Sequence, residues 1–176
     1  ENKIGIEAFR MQTTSAARAI AADYSAQAHF GKIWQRNIIA NLAQIGAQSA
    51  PARSVQNDTS FAAPIGKTAL IAAAGPSLDT AVSLIEKKRD ELYIIATDTA
   101  YKSFTERGIL CDAVVSIDGQ LLSAQHFFSD VRTEGTLFIF DLCANPSAIR
   151  FIKKSGGKIA FVQTGHPLSF YASLFS

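Results

Sequence analysis

The chain is poor in cysteine. It has two, Cys111 and Cys143, far apart and each inside an apolar run. That spacing suits neither a metal-binding pair nor a disulfide framework. Both are read as buried free thiols of a reducing compartment. Long apolar runs are missing too. None approaches the roughly 20 residues that span a bilayer, and no secretory leader pattern opens the chain. No membrane partner and a cytoplasmic location are therefore expected. Charge of one sign is also scarce: 17 Lys and Arg against 15 Asp and Glu leave a net charge of +2. No stretch concentrates basic residues with aromatics, so a nucleic-acid partner is not expected. Lys87, Lys88 and Arg89 after Glu86 read as the solvated end of a helix.

What is present suits one globular domain with an appendage: 176 residues, 48% hydrophobic, enough to bury a core. The chain opens on Glu1 rather than Met and is expected to be a piece of a longer protein. Three segments are expected: helical residues 1–46, a linker or surface loop over 47–66, and an α/β core over 67–176. Within the first, Thr14–Ile45 has helical periodicity. Phe30, Trp34, Ile38, Leu42 and Ile45 share a face at steps of three and four, Ser15 lies in the cap region, and Gly46 can stop the helix. This stripe reads as core or as an interface, and a homo-oligomer through the 30–45 helix is one expected partner. Residues 47–66 are polar, with Ala, Ser and Pro and no periodicity.

From Lys67 the pattern becomes strand–helix alternation. Short apolar runs at Thr68–Ala74, Leu92–Thr97, Ala113–Ile117, Thr136–Phe140 and Ile159–Val162 read as buried strands. Helical stretches fall at Asp79–Lys88, Ala100–Arg107, Leu121–Phe128 and Pro146–Lys154. The alternation implies right-handed crossovers and a Rossmann-like parallel sheet with helices on both faces.

In such sheets ligands bind beyond the carboxyl ends of the strands, and three of these ends carry unusual residues. Gly75-Pro76-Ser77-Leu78-Asp79 comes after the first strand. Gly75 permits close backbone approach, Pro76 presets the turn, and Ser77 offers a hydroxyl that can cap the next helix. The positive end of that helix favours phosphate. Thr97-Asp98-Thr99 comes after the second strand and is placed to hydrogen-bond a ribose or base, or to cap a helix. Ser116-Ile117-Asp118-Gly119-Gln120 comes after the third. There Asp118 could bind a divalent metal, position a hydroxyl nucleophile or simply turn the chain. His166, after the fifth strand, is a candidate base. His29 and His126 read as packing or surface groups. Gly66-Lys67-Thr68 imitates the tail of a Walker loop, but Phe61 stands where its first glycine belongs and a strand comes next where a helix should. No GxGxxG is present.

Several of these segments together resemble motility-associated factor proteins. Phe30–Leu42 resembles the helix preceding their core, and Ala74–Asp79 their nucleotide loop. Thr97–Ala100, Gly108–Asp112 and Val114–Asp118 resemble the second strand end, the Gly-Ile turn and the third strand end of that core, with Cys111 in place of the usual proline. That family comprises glycosyltransferases that attach nonulosonic acids, such as pseudaminic or legionaminic acid, to flagellin Ser/Thr from CMP-sugar donors. The core is also similar to bacterial sialyltransferases and to archaeal-type 6-hydroxymethylpterin diphosphokinases, which use ATP with magnesium. The resemblance implies Gly75, Pro76 and Ser77 at the nucleotide phosphates, with Asp98 in the same crevice; their neighbours Leu78 and Thr99 are counted with the nucleotide site. It places Asp118 in the same crevice, where Asp118 and, from its position after the fifth strand, His166 are the candidate catalytic residues, with Asp118 the ligand if Mg2+ takes part. It also implies that the chain stops partway through the family domain. A CMP-sugar transferase acting on flagellin, an ATP-dependent diphosphokinase and a non-catalytic nucleotide-binding domain are the three functions that remain open.

Overall fold

The computed structural model describes residues 2–46, 65–128, 131–163 and 165–173. Helix α1 runs from Asn2 to Gly46, a dozen residues earlier than its periodic pattern begins. Thr13, Thr14 and Ser15 lie inside the helix and do not cap it, because the Thr13 hydroxyl donates back to the Phe9 carbonyl (2.8 Å), the local bond open to Ser and Thr within a helix. The reading of 47–64 as a linker falls outside the described residues.

The core alternates β1 (Thr68–Ala72), α2 (Pro76–Lys87), β2 (Leu92–Thr97), α3 (Asp98–Glu106), β3 (Ala113–Ser116), α4 (Leu121–Ala124, continued as a 3-10 turn to Phe127), β4 (Leu137–Asp141), α5 (Pro146–Lys154), β5 (Lys158–Val162) and α6 (Pro167–Ser173). All four strand pairings are parallel, and the strands lie in chain order. This is the α/β, Rossmann-like sheet with flanking helices that the alternation implies.

One expectation needs correcting. The four crossover helices do not cover both faces. Leu78, Val82 and Ile85 of α2, Tyr101 and Phe104 of α3, Phe127 after α4, and Ile149 and Ile152 of α5 all join one cluster with Ile94, Val114, Phe138 and Phe140. When every right-handed crossover steps the same way along the sheet, every helix lands on the same side. The other face carries Ala113, Leu137 and Ala160 with Tyr93, Ile95 and Ile139, and no helix joins that group among the described residues. Ile71 on this side is 78% exposed.

Aromatic packing holds the helical side together. Tyr101, Phe127, Phe138 and Phe140 meet at centroid separations of 5.5–6.3 Å. Each ring contributes about 1.5–3 kcal/mol through burial. Helix α5 shows how local signals agree with packing: Asn145 caps it by accepting from the Ser147 amide (2.9 Å), Pro146 starts it, and left-handed Gly156 (φ 78°) ends it.

Candidate functional site

The carboxyl ends of β1, β2 and β3 lie along one rim of the sheet, because Ala72 is in register with Ala96 and Ala96 with Val114. The Gly75 loop, Asp98 and Asp118 therefore share that rim. At β1 the loop turns straight into α2. Gly75 is the cap residue and Pro76 the first helical position, and no side chain caps the helix. Ser77 therefore does not cap as its position suggested. It sits inside the first turn, and its carbonyl accepts from the Thr80 hydroxyl (2.9 Å). Pro76 and Ser77 are exposed, and the Leu78 side chain is buried. The Leu78 amide bonds back to the Gly75 carbonyl (2.9 Å). An ion pair between Arg107 and Asp79 (2.8 Å) ties α2 to α3.

At β2 the cap is Thr97, which accepts from the Ala100 amide. Asp98 is thereby free of that task and turns toward the neighbouring strand. Its carboxylate accepts from the Thr99 amide (2.7 Å), the Thr99 hydroxyl (3.1 Å) and the Ser116 hydroxyl (2.9 Å). At β3 the Asp118 carboxylate accepts from the Gln120 amide (2.9 Å), closing a turn.

These two loops enclose a cavity of about 270 Å³. Asp98 and Asp118 line it, with Thr97 and Thr99 on one side and Gln120, Ser123 and His126 on the other; Val115, Ile117 and Leu122 form apolar walls. No Lys or Arg is among these residues. The cavity suits hydroxyl or N–H donors, or a cation, and disfavours a bare anion. For the divalent metal that the resemblance implies, two carboxylates match the way Mg2+ binds, through one or two carboxylates and substrate phosphates. Among the described residues no group of three or more His, Cys, Asp or Glu is placed to hold a metal ion by itself.

Asp98, Thr99 and Asp118 thus come together. Gly75, Pro76, Ser77 and Leu78 sit at the end of the adjacent strand, outside the cavity lining. His166 is not brought to it. Its ring packs edge-on against Trp34 (6.2 Å) and its Nδ1 accepts from the Leu168 amide (3.2 Å). His126, which helical periodicity left as a packing group, lines the cavity, and its Nδ1 is buried with no hydrogen-bond partner among the described residues. Asp112, another acidic residue of the resemblance, lies at the opposite rim. There it accepts from the Ile94 amide (2.7 Å) and pairs with Arg89 (2.9 Å). Arg89 also donates to the carbonyls of Leu110 and Leu92, so it clips strands rather than ending a helix in solvent.

The support of the Asp118 loop comes from α1. Asn37, 1% exposed, donates to the carbonyls of Gly119 and Cys143, both at 3.0 Å. One turn on, Asn41 donates to the carbonyls of Leu142 and Ala144, both at 2.9 Å. Asn145 donates a second side-chain amide to the Gly119 carbonyl (3.2 Å). Only glycine fits at 119: a Cβ there would lie 2.9 Å from the Cys143 oxygen and 3.2 Å from Trp34. Trp34, Ile38, Leu42 and Ile45 pack on Leu142, Cys143, Phe161 and Leu168. Four of the five residues of the apolar stripe thus pack within the chain. Burial pushes the thiols of Cys111 and Cys143 up to about 12, so both are protonated and unreactive at neutral pH.

Among the described residues, no helix is long and apolar enough to cross a membrane. The chain is 38% identical over 118 residues to an uncharacterized protein of Treponema pallidum (strain Nichols), covering 65% of this chain and 51% of that protein. A second uncharacterized protein of the same organism is 32% identical over 123 residues, covering 69% and 20%. The chain thus spans about half the length of the first relative and a fifth of the second. Among solved structures, it is similar to the MAf glycosyltransferase from Magnetospirillum magneticum AMB-1. The TM-score is 0.49 at 16% identity, covering 61% of this chain and 17% of that one. A family model described as 6-hydroxymethylpterin diphosphokinase MptE-like matches residues 36–175, taking in the end of α1, with both asparagines, and nearly all of the core, and the chain belongs to that family.

Proposed function

We propose that this domain binds a nucleotide and serves group transfer from its phosphate end to a hydroxyl. The observation that carries this is the cavity in which Asp98 and Asp118 meet, next to the start of α2 on the same rim. The first turn of α2 takes the phosphates, where helix N–H groups and dipole favour negative charge. The same turn stabilises charge on the departing phosphate. The acceptor hydroxyl enters the cavity, where a carboxylate accepts its proton or orients it. Asp118 is the better placed of the two, since among the described residues only the Gln120 side chain and amide bond its carboxylate, whereas Asp98 is held by Ser116 and Thr99.

The leading reading is a glycosyltransferase that moves a nonulosonic sugar from a CMP donor to a protein Ser/Thr such as that of flagellin, in the cytoplasm. The preceding helix with its Trp34 and asparagines supports it, being the segment that most resembles the motility-associated type. The second reading, pyrophosphate transfer from ATP in the manner of a 6-hydroxymethylpterin diphosphokinase, is favoured by the family match and by two carboxylates in a cavity without a cation. In that reading Asp98 and Asp118 would hold Mg2+, which would neutralise phosphate charge. Thermal denaturation of the chain with CMP, CDP, ATP and ATP–Mg2+ separates the two. Stabilisation by CMP that Ser77→Ala weakens supports the first. Stabilisation by ATP only with Mg2+ supports the second. No response to any nucleotide, with the fold intact, would refute both.

A further inference from the structure

The turn after α4 brings a histidine to the cavity wall. Ala124 and Phe127 are fully buried, and the Phe127 ring packs on Tyr101, Phe138 and Phe140. That packing fixes the 3-10 turn Gln125–Phe127. Ser123 and His126, three positions apart and so on one side of the turn, both line the cavity. His126 is half-buried and makes no hydrogen bond to the described residues, and its Nδ1 is closed off from solvent. A buried polar atom without a partner costs stability, and the fold keeps one here, on a ring that borders a cavity. The neighbouring donors are already engaged. The Thr99 hydroxyl donates to Asp98 (3.1 Å), the Ser123 hydroxyl to the Gln120 carbonyl (2.7 Å), and the Gln120 side-chain amide to Asp118 (3.5 Å).

A neutral imidazole has one donor and one acceptor nitrogen, and its surroundings choose which is which. A proton on Nδ1 would be a buried N–H with no acceptor among the described residues, the rarer kind of unsatisfied backbone or ring group. With the proton on Nε2, the nitrogen left to the cavity is a donor. We infer that His126 is the residue that recognises the group bound in this cavity. Its Nε2–H meets a carbonyl or carboxylate oxygen of that group, while Asp98 and Asp118 accept from its hydroxyl or N–H groups. The inference rests on the group-transfer reading of the cavity and names what the cavity selects: a group with an acceptor oxygen on one side and donors on the other. A nonulosonic sugar offers its carboxylate and hydroxyls, and a pterin its ring carbonyl and amine. His126 also answers the shortage of cations in the wall, because it gives an electron-rich oxygen a donor between two carboxylate-bearing loops.

Nitrogen-15 shifts distinguish a protonated ring nitrogen from a bare one. In the labelled chain at pH 8 the signals lost in His126→Leu should show a protonated Nε2 and a bare Nδ1. Calorimetry then compares a CMP-linked nonulosonic sugar with CMP, and 6-hydroxymethylpterin plus a non-hydrolysable ATP analogue and Mg2+ with that analogue and Mg2+ alone. His126→Leu should weaken binding of the sugar or of the pterin, whichever the chain takes, by roughly tenfold, and leave the bare nucleotide's affinity unchanged. His126→Gln, whose side-chain amide reaches the place of Nε2, should restore most of the loss. Leu fills the ring's space without the unpartnered nitrogen, so the thermal transition of His126→Leu should be no lower than that of the parent chain. A proton on Nδ1, a sugar or pterin affinity that His126→Leu leaves unchanged, a loss that the bare nucleotide shares, or a His126→Gln variant no better than His126→Leu would each overturn this inference and leave the nucleotide reading standing. Binding of none of these ligands by the parent chain would refute the group-transfer reading, and this inference with it.

Discussion

Replacing Asn37 by alanine tests whether α1 holds the Asp118 loop in place. The change removes two buried hydrogen bonds of 3.0 Å, to Gly119 and Cys143. The Gly119 carbonyl keeps the Asn145 amide, so its loss is about 1 kcal/mol. The Cys143 carbonyl loses this donor in a buried setting, which costs about 2 kcal/mol. Against this, the Asn37 Oδ1 is itself buried with no hydrogen-bond partner among the described residues, and deleting it returns about 1 kcal/mol. The sum is a destabilisation of about 2 kcal/mol, or a Tm lower by about 4–8 °C for a chain of this size. Asn41→Ala, which frees the Leu142 and Ala144 carbonyls and the Gln44 side-chain amide, should cost at least as much. The two variants should differ in a second respect. Asn37→Ala should weaken ligand binding at the cavity because it loosens the loop that carries Asp118, while Asn41→Ala should leave binding nearly intact. Urea and thermal unfolding followed by circular dichroism, with ligand titration below the transition, measure both. An unchanged Tm for Asn37→Ala, or equal binding losses in the two variants, would refute the reasoning.

Gly119→Ala should cost about 1–3 kcal/mol by overpacking against Cys143 and Trp34, seen as a lower urea midpoint at unchanged slope. Asp112→Ala should lower the midpoint by removing the partner of Arg89 and of the Ile94 amide. It should leave ligand affinity unchanged, because it lies at the rim away from the cavity. Both thiols are raised from 9 to about 12 by burial, so between these values the folded chain holds protons the unfolded chain has released. Stability is then full below pH 9 and falls as pH rises toward 12, by up to about 1.4 kcal/mol per pH unit for each thiol. Cys→Ser variants should show a shallower fall. A thiol reagent at pH 8 should react with neither cysteine until the chain unfolds.

Much of this was legible in the residue pattern. The strands at 92–97 and 113–116 and the helix at 146–154 follow from short apolar runs and from the Asn145-Pro146 start. The gathering of Asp98 and Asp118 follows from their place after neighbouring parallel strands. The features that escaped depend on direction in space. Asn37 and Asn41 read as interruptions of an apolar stripe, yet their one-turn spacing is the signal that both reach the same row of loop carbonyls. Strand order is not written in local periodicity, so helices on a single face could not be told from helices on two. His166 read as the candidate base and His126 as a packing group, and the turn after α4 and the edge-on contact with Trp34 put them the other way round, His126 at the cavity and His166 in packing. Helix α6 went unread because Pro167–Ser173 is too short to show a period.

The most direct measurement is mapping of backbone amide shifts by NMR as a CMP-linked nonulosonic sugar, and separately ATP with Mg2+, is titrated into the labelled chain. Nucleotide on the first turn of α2 with the transferred group between β2 and β3 predicts that the amides of Ser77, Leu78, Thr99, Gly119 and Gln120 shift together with one affinity. Shifts confined to the opposite rim around Asp112, or none at saturating nucleotide, would contradict it.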